Sequence, residues 1–188
     1  MHYLVVGVNA VGKSTLLRAV SERTGIPVLH ATTELVRYLG MGLDYDKLRG
    51  MDQDFTMKAW EAAAAELAQR YADKPYLLDG HILNLTEGKI IPRVGKWVGL
   101  QDALVMLKAK PETILRRLNA DTSRNRDLFP SNFNEQHKLA VLEDHQQQME
   151  QLFKQQAVQF NLPSRIIMIE SLESATAEFE QFIRETNH

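Results

Sequence analysis

Short apolar runs alternate along the chain with longer segments in which apolar residues recur at helical spacing. Five of the runs have the length and composition of buried strands: Tyr3 to Val6, Ile26 to Leu29, Tyr76 to Leu78, Ala103 to Leu107 and Ile166 to Ile169. Strands of a parallel sheet read as continuous apolar runs because helices cover both faces of the sheet. The pattern therefore predicts an α/β fold in which a five-stranded parallel sheet is flanked by helices.

The segments between these strands carry the start and stop signals of helices. Gly25 stops the first helix, and Pro111 suits the first position of another because its φ is fixed. Asn132 begins a long helix, and Ser174 can cap the last one. The predicted helices cover residues 13–23, 55–71, 111–118, about 132–160 and the stretch after 174.

Two further segments, residues 81–99 and 121–131, fit neither pattern and are predicted to be long loops. The first is rich in glycine and proline, and the second mixes arginines with acidic residues around Pro130. Long loops in a compact domain commonly carry function. We find no internal repeat and no linker, so residues 1–188 are predicted to form a single domain.

Composition and charge narrow the class of protein. With 44% hydrophobic and 24% charged residues, the chain has the make-up of an ordinary globular domain, and the absence of cysteine excludes disulfides and thiolate metal sites. The net charge of −2 provides no overall attraction to nucleic acid or membranes, so small molecules are the expected partners. The first residues read as a strand and not as a leader, so we expect a cytoplasmic protein. No feature indicates an oligomeric state.

The run Gly7-Val8-Asn9-Ala10-Val11-Gly12-Lys13-Ser14 matches the phosphate-binding pattern G-x-x-x-x-G-K-[ST]. It lies between a predicted strand and a predicted helix, where inward-pointing N–H groups and the helix N-terminus attract phosphate. Lys13 is expected to reach the β- and γ-phosphates and to be solvated when no nucleotide is bound, and Ser14 is expected to ligate Mg²⁺. A glycine turn that happens to precede Lys-Ser is the alternative. The residues expected to bind ATP are Gly7, Asn9, Ala10, Val11, Gly12, Lys13, Ser14 and Thr15.

Three further stretches, "ATTELVRYL" (residues 31–39), "LLDGH" (77–81) and "PETILRRLNADTSRNRD" (111–127), follow the loop in an order that resembles the nucleoside monophosphate kinases. The similarity is greatest to the archaeal-type adenylate kinases. It implies a P-loop core, a helical acceptor-binding segment at about 31–73 and an arginine-bearing lid at about 119–133. The implied reaction transfers the γ-phosphoryl group of ATP to a nucleoside monophosphate, AMP first.

The resemblance also assigns roles to the acceptor side. Arg37 and Arg49 lie where the family holds the acceptor phosphate, and Thr32 lies in the same segment. A guanidinium suits this task because it can grip two phosphate oxygens at once. Asp79 ends a strand that is predicted to lie beside the strand of the phosphate loop, at the edge where ligands bind in open α/β sheets. By the resemblance it would hold Mg²⁺ through water, and His81 could contact the acceptor. The alternatives are solvated helix arginines, an ordinary turn aspartate and a histidine that packs or faces solvent.

A local excess of positive charge lies between residues 108 and 126, a stretch that contains six basic and two acidic residues. The resemblance makes Arg124 and Arg126 the lid pair, with Arg117 at its base, and such arginines neutralise the charge that develops on the transferred phosphoryl group. Arg116 is equally explained by salt bridges on a helix face. The predicted catalytic residues are Lys13, Arg117, Arg124 and Arg126.

The chain departs from the family in the acceptor region. No arginine follows Asp79-Gly80 closely, although Arg93 can take its place, and the long helix offers Lys138 and His145 instead of further arginines. A P-loop kinase of another small metabolite, such as a sugar acid, and an adenylate-kinase-like regulatory or assembly ATPase therefore stay open as alternatives. A GTPase switch is disfavoured because no Asn-Lys-x-Asp run is present.

Overall fold

The computed structural model describes residues 1–42, 44, 47–48, 50–121 and 128–187. Its main sheet contains five parallel strands in the order β2-β3-β1-β6-β7. These strands are β1 (His2–Gly7), β2 (Val28–His30), β3 (Tyr76–Asp79), β6 (Ala103–Lys108) and β7 (Ser164–Met168). The predicted α/β fold with a five-stranded parallel sheet is confirmed.

The helices that cover the sheet follow the predicted segments closely. The first ends at Gly25, which adopts a left-handed conformation (φ 73°) and donates its N–H to the Ser21 carbonyl. None of the described helices is both long and apolar enough to cross a membrane. The helices are α1 (Lys13–Thr24), α2 (Ala31–Tyr38), α3 (Gln53–Arg70), α4 (Pro111–Ala120), α5 (Glu135–Gln159) and α6 (Leu172–Thr186), with a 3₁₀ turn at Lys96–Leu100.

Two helix starts differ from the prediction by a few residues. Helix α5 begins after Asn134, whose side chain accepts a hydrogen bond from the His137 N–H, and not at Asn132. Helix α6 begins after Ser171, whose hydroxyl accepts from the Ser174 N–H at 3.1 Å. Ser174 therefore lies inside the helix, because Ser171 already supplies the capping oxygen.

The prediction of a long loop at residues 81–99 is wrong. Strands β4 (Leu83–Thr86) and β5 (Lys89–Pro92) pair there as an antiparallel hairpin. Glu87 (φ 49°) and Gly88 (φ 74°) are both left-handed, which is the geometry of a tight two-residue hairpin turn. The hairpin follows β3 and returns the chain to the carboxyl edge of the main sheet, where β1 also ends.

Candidate functional site

The predicted phosphate loop connects β1 to α1 and is tightly curled. Ala10 (φ 61°) and Gly12 (φ 111°) are left-handed, and the Val11 N–H donates to the Val8 carbonyl at 3.2 Å. A Cβ on Gly7 would lie 2.9 Å from Val11 Cγ1, so the loop closes only over a glycine. Consecutive peptides thus turn around a concavity at the N-terminus of α1, which favours a bound anion.

Lys13 is held beneath this loop by an ion pair. Its ammonium contacts Asp79 Oδ1 and donates to the Gly80 carbonyl at 3.2 Å. Only 8% of Lys13 and 12% of the Asp79 side chain are exposed, so the prediction that the ammonium is solvated without nucleotide is wrong. Burial lowers the pKa of Lys13, partly offset by the Asp79 charge. Burial raises the pKa of Asp79, but the charge and hydrogen bond of Lys13 outweigh it, so that pKa lies below its usual value.

Two histidines flank the ion pair. His30 Nδ1 lies 3.2 Å from Asp79 Oδ2, and His81 Nε2 lies 3.4 Å from the Lys13 ammonium. The positive charge of Lys13, together with burial, lowers the pKa of His81 to about 3. His81 is therefore neutral at neutral pH, and its Nε2 accepts a hydrogen bond from Lys13.

Arg117 on α4 also braces the loop. Its Nη1 donates to the Val11 carbonyl at 2.6 Å and approaches the Ala10 carbonyl at 3.4 Å. Between Arg117 and residues 169–172 a cavity of about 430 Å³ opens over the loop, and Ser14 and Asp79 also line it. Arg117, Asp79 and most of the predicted loop residues thus line one space, whereas Gly7 and Val11 do not line it.

A second cavity, of about 680 Å³, adjoins the first and shares Asn9 and His81 with it. Trp60, Trp97 and several aliphatic side chains form its apolar walls. Thr32, a predicted acceptor residue, lines it. One side of this cavity comes from residues 31–60, within the predicted acceptor-binding segment, and the other comes from the β4–β5 hairpin and Arg93.

Arg37 is predicted to hold the acceptor phosphate, but it lines neither of the two cavities. Its Nη2 donates to Glu66 at 2.6 Å and its Nε to Glu34 at 3.1 Å, and 42% of its side chain is exposed. Arg70 also pairs with Glu34, so this group ties α2 to α3. Arg49, Arg124 and Arg126 lie outside the described residues, and their predicted roles stay predictions.

The residues present fit a nucleoside triphosphate with Mg²⁺. The first cavity combines the phosphate loop, the cationic groups of Lys13 and Arg117, and the Ser14 hydroxyl at the start of α1. Asp79 adds a carboxylate oxygen at the same edge of the sheet. Mg²⁺ commonly takes one or two protein oxygens and completes its shell with phosphates and water. Ser14 and Asp79 are the residues that could hold it here.

Comparison with known proteins places the chain among P-loop proteins. A family model described as AAA domain matches residues 6–135. The adenylate kinase of Thermoplasma acidophilum is 30% identical over 133 residues, which cover 68% of this chain and 71% of that protein. The adenylate kinase of Methanoculleus marisnigri is 26% identical over 136 residues, covering 66% and 71% respectively. The resemblance to archaeal-type adenylate kinases is confirmed.

Solved structures share the fold at lower identity. The shikimate kinase of Bacteroides thetaiotaomicron superposes with a TM-score of 0.65 at 12% identity and covers 98% of each chain. A gluconokinase from Sinorhizobium meliloti superposes with a TM-score of 0.55 at 16% identity, covering 99% of this chain and 93% of its own. At such identities the likeness concerns the fold alone.

Proposed function

Because the chain belongs to this AAA domain family and is a P-loop kinase, we propose that it transfers the γ-phosphoryl group of ATP to a nucleoside monophosphate, with AMP as the first acceptor to test. The observation that carries the proposal is the meeting of two cavities at Asn9 and His81, next to the buried Lys13 ammonium. Most of the phosphate loop lines one cavity, whereas Asn9 is the one loop residue among the described residues that line the other. Such an arrangement suits two substrates that exchange a group at their junction.

On the donor side, Lys13 and Arg117 would bind the phosphates of ATP. Lys13 already lies at the loop, but it must exchange its Asp79 contact for a phosphate oxygen, which frees the Asp79 carboxylate. Ser14 and Asp79 would hold Mg²⁺, which supplies neutralisation of phosphate charge when it is bound. Arg117 Nη1 keeps the loop curled through the Val11 carbonyl, so the peptides stay oriented for the incoming anion.

On the acceptor side, the second cavity is within the usual range of about 300–1,000 Å³ for small-molecule sites and is large enough for a nucleotide. Trp60 and Trp97 belong to the apolar wall against which a base could pack, and Thr32 offers a hydroxyl. A monophosphate acceptor is itself an anionic nucleophile, so no side chain needs to act as a strong base.

The test is the initial rate of ADP formation, measured in a coupled assay at fixed ATP and Mg²⁺ with AMP, CMP, UMP, GMP, shikimate, gluconate and adenosine in turn. We expect turnover with at least one monophosphate and not with adenosine. Turnover of shikimate or gluconate but of no monophosphate would replace the proposal by a small-metabolite kinase. Slow ATP hydrolysis that no acceptor changes would indicate a regulatory ATPase.

A further inference from the structure

The hairpin that the sequence pattern did not predict places one arginine at the second cavity. In the hairpin Leu83 pairs with Pro92, and the next residue, Arg93, donates its backbone N–H to the Ile82 carbonyl at 2.7 Å. This bond holds the Arg93 backbone beside Ile82, which follows His81 in the chain, and His81 lies at the junction of the two cavities. The backbone position of Arg93 is therefore set by regular pairing and not by a free loop.

The Arg93 side chain has no counter-charge among the described residues. It is the one side chain with a permanent charge among the described residues that line the second cavity, and no carboxylate is among them. Its Nε is buried and has no hydrogen-bond partner within the part of the chain that the structure describes. A buried guanidinium N–H left unpaired is unfavourable, and an anionic oxygen from a ligand would relieve it.

Arg37 offers a contrast on the same side of the protein. Its Nε donates to Glu34 and its Nη2 to Glu66, so two carboxylates already compensate its charge. Arg93 has no such counter-charge among the described residues. We propose that Arg93 binds the anionic group of the phosphoryl acceptor and that it selects acceptors that carry a phosphate or a carboxylate. This inference rests on the proposed function, since it assumes that the second cavity holds the acceptor.

The chain supplies its own reporter for the test. It contains two tryptophans, Trp60 and Trp97, and both line the second cavity. Quenching of their fluorescence by AMP and by adenosine, with the first cavity filled by a non-hydrolysable analogue of ATP, gives dissociation constants for a ligand with and without its phosphate. Comparing the ratio of these constants between the native protein and Arg93→Met isolates the contact between Arg93 and the phosphate.

We expect AMP to bind the native protein at least about tenfold more tightly than adenosine does, because a charge-assisted hydrogen bond is lost with the phosphate. In Arg93→Met the ratio of the adenosine to the AMP dissociation constant should fall close to one, while the dissociation constant of adenosine stays the same. Arg93→Lys should retain part of the preference for AMP. The matched control is Lys89→Met, which removes an exposed cation from the same hairpin and should leave the preference unchanged.

These measurements separate the role of Arg93 from the identity of the acceptor. If AMP binds and Arg93→Met keeps the full preference over adenosine, the assignment of Arg93 is wrong. If no monophosphate binds but shikimate or gluconate does, and this binding is lost in Arg93→Met, the monophosphate proposal fails and Arg93 stands. If no anion of either class binds in the second cavity, the inference is overturned together with the acceptor site.

Discussion

Removal of the Lys13 ammonium is expected to destabilise the empty protein as well as to stop phosphoryl transfer. Lys13→Met leaves the Asp79 carboxylate buried without its main partner, and loss of one member of a buried ion pair costs about 3–5 kcal/mol. His30, which lies 3.2 Å from the other Asp79 oxygen, can compensate in part, so we place the loss near the lower end. At about 2–4 °C per kcal/mol, a cost of about 3 kcal/mol corresponds to a decrease in Tm of about 6–12 °C.

The assay is thermal denaturation of the nucleotide-free protein at neutral pH, with the double variant Lys13→Met/Asp79→Asn measured beside the single one. The double variant buries no net charge and should regain most of the lost stability while it stays inactive. Lys154→Met is the control, because this lysine is exposed and its pair with Glu150 contributes little. A Tm for Lys13→Met within about 1 °C of the native protein corresponds to less than about 0.5 kcal/mol and would show that the ion pair does not stabilise the empty protein.

Three other changes test separate parts of the structure. The free energy of unfolding should fall as the pH is lowered from about 6.5 to about 4. Burial lowers the pKa of His145 to about 4, so in this window its imidazole binds a proton only in the unfolded chain. Unfolding titrations of His145→Gln should show a shallower pH dependence, whereas those of the exposed control His137→Gln should match the native protein. Arg117→Met should lower kcat/KM for ATP by about tenfold or more, as it removes a loop-bracing bond and a cation from the donor cavity, and unchanged steady-state kinetics would contradict this role. Gly99→Ala should cost about 1–3 kcal/mol in chemical denaturation, because its Cβ would lie 2.5 Å from the Phe160 ring, and Phe160→Leu should restore stability in the double variant.

The sheet and the phosphate loop could be predicted because their signals are local. Buried strands such as β1 and β6 read as continuous apolar runs, and the loop motif lies between a strand and a helix. The hairpin was missed because each of its strands has four residues and its turn uses Glu87 at a left-handed position where asparagine or aspartate is commoner. The alternation of Leu83 and Leu85, both buried, was the available signal.

The residues of the site could be predicted where they follow directly from the order of the strands, but contacts between distant elements could not. Asp79 was expected beside the phosphate loop because β3 neighbours β1, but the ion pair with Lys13 depends on burial that no motif encodes. Arg37 was assigned from the resemblance to the adenylate kinases, whereas its contact with Glu66, 29 residues away, depends on how α2 packs on α3. Arg93 reaches the second cavity through the missed hairpin.

The most direct measurement of the central claim follows the fate of the transferred group. The protein is incubated with ATP labelled with ³²P at the γ-position, Mg²⁺ and AMP, and the products are separated by chromatography. If the protein is a monophosphate kinase, the label appears in ADP formed from AMP, and Lys13→Met forms no labelled ADP. Label that appears only as inorganic phosphate, at the same rate with and without AMP, would contradict this function.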